Sequence, residues 1–252
     1  MDRKDHTSES TRNVSGEAKQ IGLVLTPVAQ GAEATIYKAV LFGKRMVAIK
    51  QRLPKRYRLT ELDEQLNRSR VIAESRALAR AWLLPHVRVP AVYLVDPPNL
   101  RLVFEWIEGP TLREWLRINE RAETAGKVPP VLEQVGRMVA SLHAVGLIHG
   151  DLTTSNFIVH ESPASNDCSV FIIDFGLAQQ CPIHSDATLE AKAVDLYVLE
   201  RAIASVHVSH AKEYLDQVLR AYETVSALED AQLVLRRLRV VRARGRKRSM
   251  VG

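Results

Sequence analysis

Apolar and polar positions along this chain follow two different periods, and the period changes part-way. Near the start, short runs rich in β-forming residues, IGLVLTPV (21–28), ATIYKAVLF (34–42) and RMVAIKQRL (45–53), are joined by AQGAE and GK. Such runs broken by turn residues predict an antiparallel meander. The next stretch, TELDEQLNRSRVIAESRALARAWLL (60–84), carries apolar residues at 62, 66, 73, 77, 78 and 81, the spacing of a helix face. Thr60 with Asp63 three positions later predicts the N-cap, and Pro85 and Pro90 close the helical region. AVYLVD (91–96) and LRLVFEWI (100–107) predict another hairpin, turning at PPN. Past EGP (108–110) the pattern becomes helical at 111–120 and 129–146. Two strands follow, FIVH and SVFIID, then helices near 188–206, 210–224 and 227–240. The expectation is an α+β chain in two lobes hinged near 108–109: a β-rich N-lobe with one long helix (21–108) and a small α-rich C-lobe (109–240).

Composition narrows the class. The chain has 252 residues, 46% hydrophobic and 25% charged, as expected of a globular protein with ample core. No run approaches the length of a membrane span, so no membrane partner is expected. The polar start, residues 1–20, lacks an apolar signal segment and reads as a disordered tail. Two cysteines, Cys168 and Cys181, make neither a disulfide framework nor a metal site, so an intracellular, reducing compartment is expected. The net charge is +6, and eight Arg or Lys with no acid fall in 236–252, leaving the rest close to neutral. A basic end of this kind, with 241–252 read as a tail, suggests an acidic partner such as RNA, or a nuclear import signal.

Four polar features interrupt the apolar runs, and their order carries the chemistry. VAIK puts Lys50 on the third strand; a solitary strand Lys would ordinarily be an edge residue snorkelling into water. A long helix follows, with Glu61, Glu64 and Glu74. GLIHGDLTTSNFIV (146–159) then holds Asp151 and Asn156 on a loop between apolar runs, and IIDFG puts Asp174 after a buried strand. A triphosphate with one or two Mg²⁺ ions needs one or two protein oxygen ligands per ion and a cation for its charge. Asp174 and Asn156 suit the metal, Asp151 suits a base or orienting group for an attacking hydroxyl, and Lys50 suits the phosphates. Each motif alone is weak; in this order they are the generic kinase signatures, implying ATP and Mg²⁺.

The chain therefore resembles the protein kinase-like fold over about 21–240. It departs from ordinary protein kinases in four places. QGAEAT (30–35) has one glycine, Gly31, where three are expected. His149-Gly150-Asp151 lacks the arginine that holds a phosphorylated activation loop. Thr153 replaces a lysine near the γ-phosphate. No Ala-Pro-Glu follows Gly176, so the peptide-binding platform is short or absent.

These departures, with YRLTELDEQLNRSRVIAESRALARA, EAKAVDLYVLERA (190–202) and the terminal RARGRKRSMVG, resemble the small atypical kinase/ATPase subunit of the KEOPS (EKC) complex, the PRPK family. The resemblance spans nearly everything after residue 20. It implies an ATPase that supports threonylcarbamoylation of the adenosine beside the anticodon in ANN-decoding tRNAs. It also implies serine/threonine autophosphorylation and links to telomere maintenance and transcription. The implied partners are the threonylcarbamoyl-transferase subunit, a small regulatory subunit contacting the N-lobe, and tRNA through the complex and the basic tail. A cytoplasmic and nuclear location is expected.

By motif match Glu74 is the expected partner of Lys50, with Glu61 and Glu64 as alternatives. His149 and Asp195 are expected to support the catalytic loop, Asp195 by accepting backbone N–H bonds. Phe104–Ile107 is the expected hinge, with Glu105 and Ile107 offering backbone groups to adenine. Arg242, Arg244, Arg246, Lys247 and Arg248 are expected either to track a tRNA backbone, with strong salt dependence, or to dock on the transferase subunit or fold back toward the chain's own nucleotide site. Ser249, after RGRKR, is a candidate phosphosite. The competing functions are a free-standing Ser/Thr protein kinase, a small-molecule phosphotransferase and a pseudokinase scaffold. Only about 76 residues follow Gly176 and their end is basic, which ranks the small-molecule enzyme third.

Overall fold

The computed structural model describes residues 25–249, apart from 32, 42, 56–58, 121–125, 165–166, 184 and 226–227. They form a protein kinase-like α+β fold that divides into two compact units: residues 25–72 with Ala91–Trp106, and Ala73–Pro90 with residues 107–249. The division is not a single cut near 108–109. The segment from Ala73 to Pro90 joins the second unit, and the later boundary follows Trp106.

The first unit is built on a five-stranded antiparallel sheet ordered β1-β2-β3-β5-β4. Its strands are β1 (Thr26–Gln30), β2 (Ala34–Leu41), β3 (Arg45–Arg52), β4 (Val92–Asp96) and β5 (Arg101–Glu105). The first strand lies later than the run 21–28 suggested, with residues 21–24 outside the described part, and its pairing with β2 shifts register between Pro27 and Ala29. On one face Tyr37, Ala39, Val47, Ile49 and Val103 form a core with Leu25, Leu41 and Tyr93 against it. Residues alternate faces along a strand, so Ala48, Lys50 and Arg52 share the other face of β3. All three are buried.

Helix α1 (Thr60–Trp82) appears where the periodicity put it, but presents a different face. The Asp63 N–H donates to the Leu59 carbonyl, so Leu59 occupies the N-cap position and Thr60 is already helical. Asp63 is buried instead and accepts from the Lys55 N–H at 2.9 Å and Asn67 Nδ2 at 3.0 Å. Leu59, Leu62 and Leu66 are exposed, while Asp63, Asn67, Val71 and Glu74 are buried. Over its first half the helix turns a polar stripe inward, because a charged group that finds hydrogen-bonding partners can be buried; apolar spacing alone does not register those partners.

The second unit contains α2 (Leu112–Asn119), α3 (Val128–Ala144), α4 (Asp186–Val206), α5 (Ala211–Val225) and α6 (Leu228–Ser249). Two short hairpins accompany them: β7 (Phe157–Glu161) with β8 (Cys168–Ile172), and β6 (Leu147–Ile148) with β9 (Gln179–Gln180). Helix α2 opens with a capping box, Thr111 accepting from the Glu114 N–H while Glu114 accepts from the Thr111 N–H. The central α3 buries Val131, Leu132, Val135, Met138 and Val139 completely and packs on α5.

The last helix contradicts the expectation of a basic tail from 241. It runs unbroken to Ser249: Ala231, Val234, Leu238 and Val241 form one apolar stripe, and beyond it Arg242 and Arg244 pair with Glu200 and Glu190. Among the described residues no helix is long and apolar enough to cross a membrane.

Candidate active site

The loop between β6 and β7 is fixed from below by α4. Asp195, in the middle of that helix and 2% exposed, accepts from the His149 N–H at 2.7 Å and the Gly150 N–H at 2.9 Å. It therefore caps the loop rather than a helix end. The Asp151 N–H donates to His149 Nδ1 at 3.3 Å, which leaves Nε2 as the protonated nitrogen, donating to the Ile173 carbonyl at 3.0 Å. The same ring lies 4.9 Å from that of Phe175, which is buried. His149 thus ties the loop to the segment carrying Asp174.

Gly150 is required by its backbone. Its φ is +82°, and a Cβ there would stand 2.4 Å from the Leu177 carbonyl oxygen. A side chain would have to adopt the left-handed region and displace a backbone group at once.

Asp151 and Asn156 meet directly. Asn156 Nδ2 donates to the Asp151 carbonyl at 2.8 Å and to its carboxylate at 2.9 Å. With its NH₂ committed, the amide oxygen is the group Asn156 has to offer a cation. The Asn156 carbonyl accepts from the Ile173 N–H at 2.9 Å, so the chain leaving β8 is bonded to the Asp151–Asn156 loop immediately before Asp174. Asp174 is exposed, with φ +61°, and its carboxylate accepts from the Gly176 N–H at 3.2 Å. A non-glycine residue held in the left-handed region stores about 1 kcal/mol or more of backbone strain, a feature that clusters at functional sites.

Two residues missed in the sequence complete this network. His143, in the last turn of α3, lies 3.4 Å from Asp195 through Nε2 and 3.1 Å from the Tyr222 hydroxyl through Nδ1. Burial pushes its pKa down, against the raising effect of Asp195. A neutral ring can donate to Asp195 and accept from Tyr222. The signal for His143 was a histidine inside an apolar α3 stretch; Tyr222 is distant in sequence and carried none.

In the first unit, Lys50 lies on β3, which is paired on both sides: Lys50 stands opposite Ile36 on β2 and Leu102 on β5. At 7% exposure on a central strand it is no snorkelling edge residue. Glu105 closes β5, with its N–H on the Ala91 carbonyl at 2.8 Å and its carboxylate accepting from the Ala91 N–H at 3.2 Å. Gly31 donates to the Ala34 carbonyl at 2.9 Å.

In the second unit, Glu74 is 3% exposed and Ile107 7% exposed. Of the alternatives to Glu74, Glu61 is exposed, and Glu64 is exposed and pairs with Arg68 at 3.2 Å. Arg242 pairs with Glu200 at 2.7 Å, and Arg244 pairs with Glu190, which also takes Arg237 at 3.5 Å. Those two basic residues fold back on their own chain, onto α4. Arg246, Lys247, Arg248 and Ser249 belong to the same helix, but the expectations for their side chains lie outside the described residues.

No group of three or more His, Cys, Asp or Glu among the described residues is arranged to hold a metal. A divalent cation shared with phosphates asks for less, one or two protein oxygens, and Asp174 with the Asn156 amide oxygen fits that demand. A cavity of about 880 Å³ elsewhere in the second unit is walled by mixed charges, Arg88, Lys127 and Arg137 with Glu133 and Asp167, and contains none of these residues.

Residues 24–209 match the family described as protein kinase domain, a phosphotransferase fold that uses ATP and a divalent cation. A solved structure titled "WaaP in complex with acyl carrier protein" shares the fold, with a TM-score of 0.55 over 93% of this chain and 96% of that one, at 18% identity. The EKC/KEOPS complex subunit BUD32 of Chaetomium globosum is 38% identical, over 90% of this chain and 91% of its own. The corresponding subunit of Dictyostelium discoideum is 35% identical over 98% and 90%, and KEOPS complex subunit Bud32 of Pyrococcus abyssi 38% over 88% and 96%. The chain belongs to the Bud32 family of EKC/KEOPS complex subunits, within the protein kinase domain proteins.

Proposed function

We propose that this chain is the ATP-hydrolysing kinase-like subunit of an EKC/KEOPS complex, supporting threonylcarbamoyl modification of the adenosine beside the anticodon in ANN-decoding tRNAs. The observation that carries an active enzyme, rather than a scaffold, is the Asp151–Asn156 pair held by Asp195 beside the strand end that presents Asp174. Bound Mg²⁺–ATP supplies the electrophilic γ-phosphoryl group. Asp174 and the Asn156 amide oxygen would hold the cation. Asp151, oriented by Asn156 Nδ2, accepts the hydrogen bond of the attacking water or hydroxyl. Lys50 offsets phosphate charge, with Glu74 as its counter-charge by motif match. The backbone groups of Glu105 and Ile107 receive adenine.

The chain works with the threonylcarbamoyl-transferase subunit, a small regulatory subunit and tRNA, in cytoplasm and nucleus, with further roles in telomere maintenance and transcription. Serine/threonine phosphorylation by the same residues is the second reading. Among its described residues the segment from Gly176 to the helix beginning at Asp186 holds only a two-residue strand, leaving little to bind a peptide, which ranks it behind ATP hydrolysis. The test is ADP release from the purified chain with Mg²⁺ or with EDTA. Wild type releases ADP only with Mg²⁺, and Asp151→Asn and Asp174→Ala fall to background. Equal rates in wild type and Asp174→Ala contradict the assignment.

A further inference from the structure

The phosphate loop lacks two of the glycines that ordinarily let a backbone fold over phosphates, yet it is strongly anchored. Glu33, the acid in QGAEAT, accepts from the Leu53 N–H at 3.0 Å through its main-chain carbonyl. Its carboxylate takes both oxygens to Arg70 Nη1 at 3.1 Å and lies 3.7 Å from Arg52 Nη1. Arg52 is at the end of β3, two residues beyond Lys50 on the same face, with a side chain only 2% exposed. A guanidinium buried that deeply demands a counter-charge. Arg70 is on α1, one helical turn before Glu74, and its side chain is 32% exposed. One loop carboxylate therefore joins three elements of the first unit: the loop, β3 and α1.

We propose that Glu33 is a positioning residue for nucleotide phosphates: its ion pairs with Arg52 and Arg70 fix the loop in place of the missing glycines and couple it to α1. The proposal rests on the reading of this chain as an ATP-using enzyme. Glu33 touches no reacting atom. A single carboxylate, held by two guanidinium groups, sets where the Gly31 backbone stands.

The test separates phosphate positioning from general stability. Affinities for Mg²⁺–ATP and for adenosine, which has no phosphates, are measured by calorimetry for wild type, Glu33→Gln, Arg70→Gln and the double variant, with thermal melts alongside. Glu33→Gln is expected to weaken ATP about threefold, the scale of losing partly exposed ion pairs, while adenosine binding stays unchanged. Arg70→Gln should weaken ATP too, and the double variant should be no weaker than the worse single one, because both remove one contact. Unchanged ATP affinity in Glu33→Gln overturns the proposal, as does an equal loss for ATP and adenosine. Tighter ATP binding also overturns it, since Glu33 would then be withholding the arginines from phosphate. Wild type that binds ATP no better than adenosine overturns the nucleotide-site reading itself, and this inference with it.

Discussion

His143 shows how one buried side chain can govern the pH response of the candidate site. It joins Tyr222 to Asp195, and Asp195 holds the backbone of His149 and Gly150. The titratable groups facing it are Asp195, Lys192 and His149, and desolvation is the largest influence, lowering its pKa from 6.5. A folded pKa below the unfolded value means that the unfolded chain takes up the proton first as pH falls. The stability is complete above about pH 6.5 and falls below it, by up to about 1.4 kcal/mol per pH unit, until the folded ring itself is protonated. Urea unfolding at pH 7.5 and 5.5 should show this loss in wild type and a shallower slope in His143→Gln. The same slope in both would show that other groups set it.

Among secondary-structure elements, α6 carries the sharpest test, because charge and packing predict different things for it. Leu238 is 1% exposed, and Gly245 lies so close to α4 that a Cβ would stand 2.0 Å from the Tyr197 hydroxyl. The ion pairs of Arg242 and Arg244 are partly exposed, the class of pair that contributes about 1 kcal/mol or less. Leu238→Ala should cost about 2–5 kcal/mol by denaturant unfolding, and Arg244→Ala less than about 1 kcal/mol. A larger loss from Arg244→Ala would mean that charge, not packing, holds the helix. This helix also marks what sequence alone could reveal. Strands β2 to β5 and helices α1 to α5 were legible because their periods are local. The placement of Asp151 and Asn156 on one loop was legible because five residues separate them, but their direct hydrogen bond was not. The end of α6 was not, since Arg242 and Arg244 are neutralised by Glu200 and Glu190, forty or more positions away. The inward face of α1 was hidden for the same reason: Asp63 and Glu74 are charged residues in buried places. Gly150 could be seen as a departure, but its cause, the Leu177 carbonyl, lies in another segment.

The whole molecule combines a hydrogen-bonded loop around Asp151 and Asn156, braced by Asp195, with little chain between Gly176 and α4 on which to present a peptide. It belongs to a family whose members are subunits of a larger complex. Such a chain is expected to depend on its partners for turnover, whereas an independent protein kinase depends on its protein substrate. The most direct measurement is Mg²⁺-dependent ADP release from wild type and Asp174→Ala, alone, with the transferase subunit and tRNA, and with a candidate protein substrate. The account predicts stimulation of wild type by the transferase subunit and tRNA, abolished in Asp174→Ala. ADP release indifferent to both, but strongly raised by the protein substrate, would contradict it.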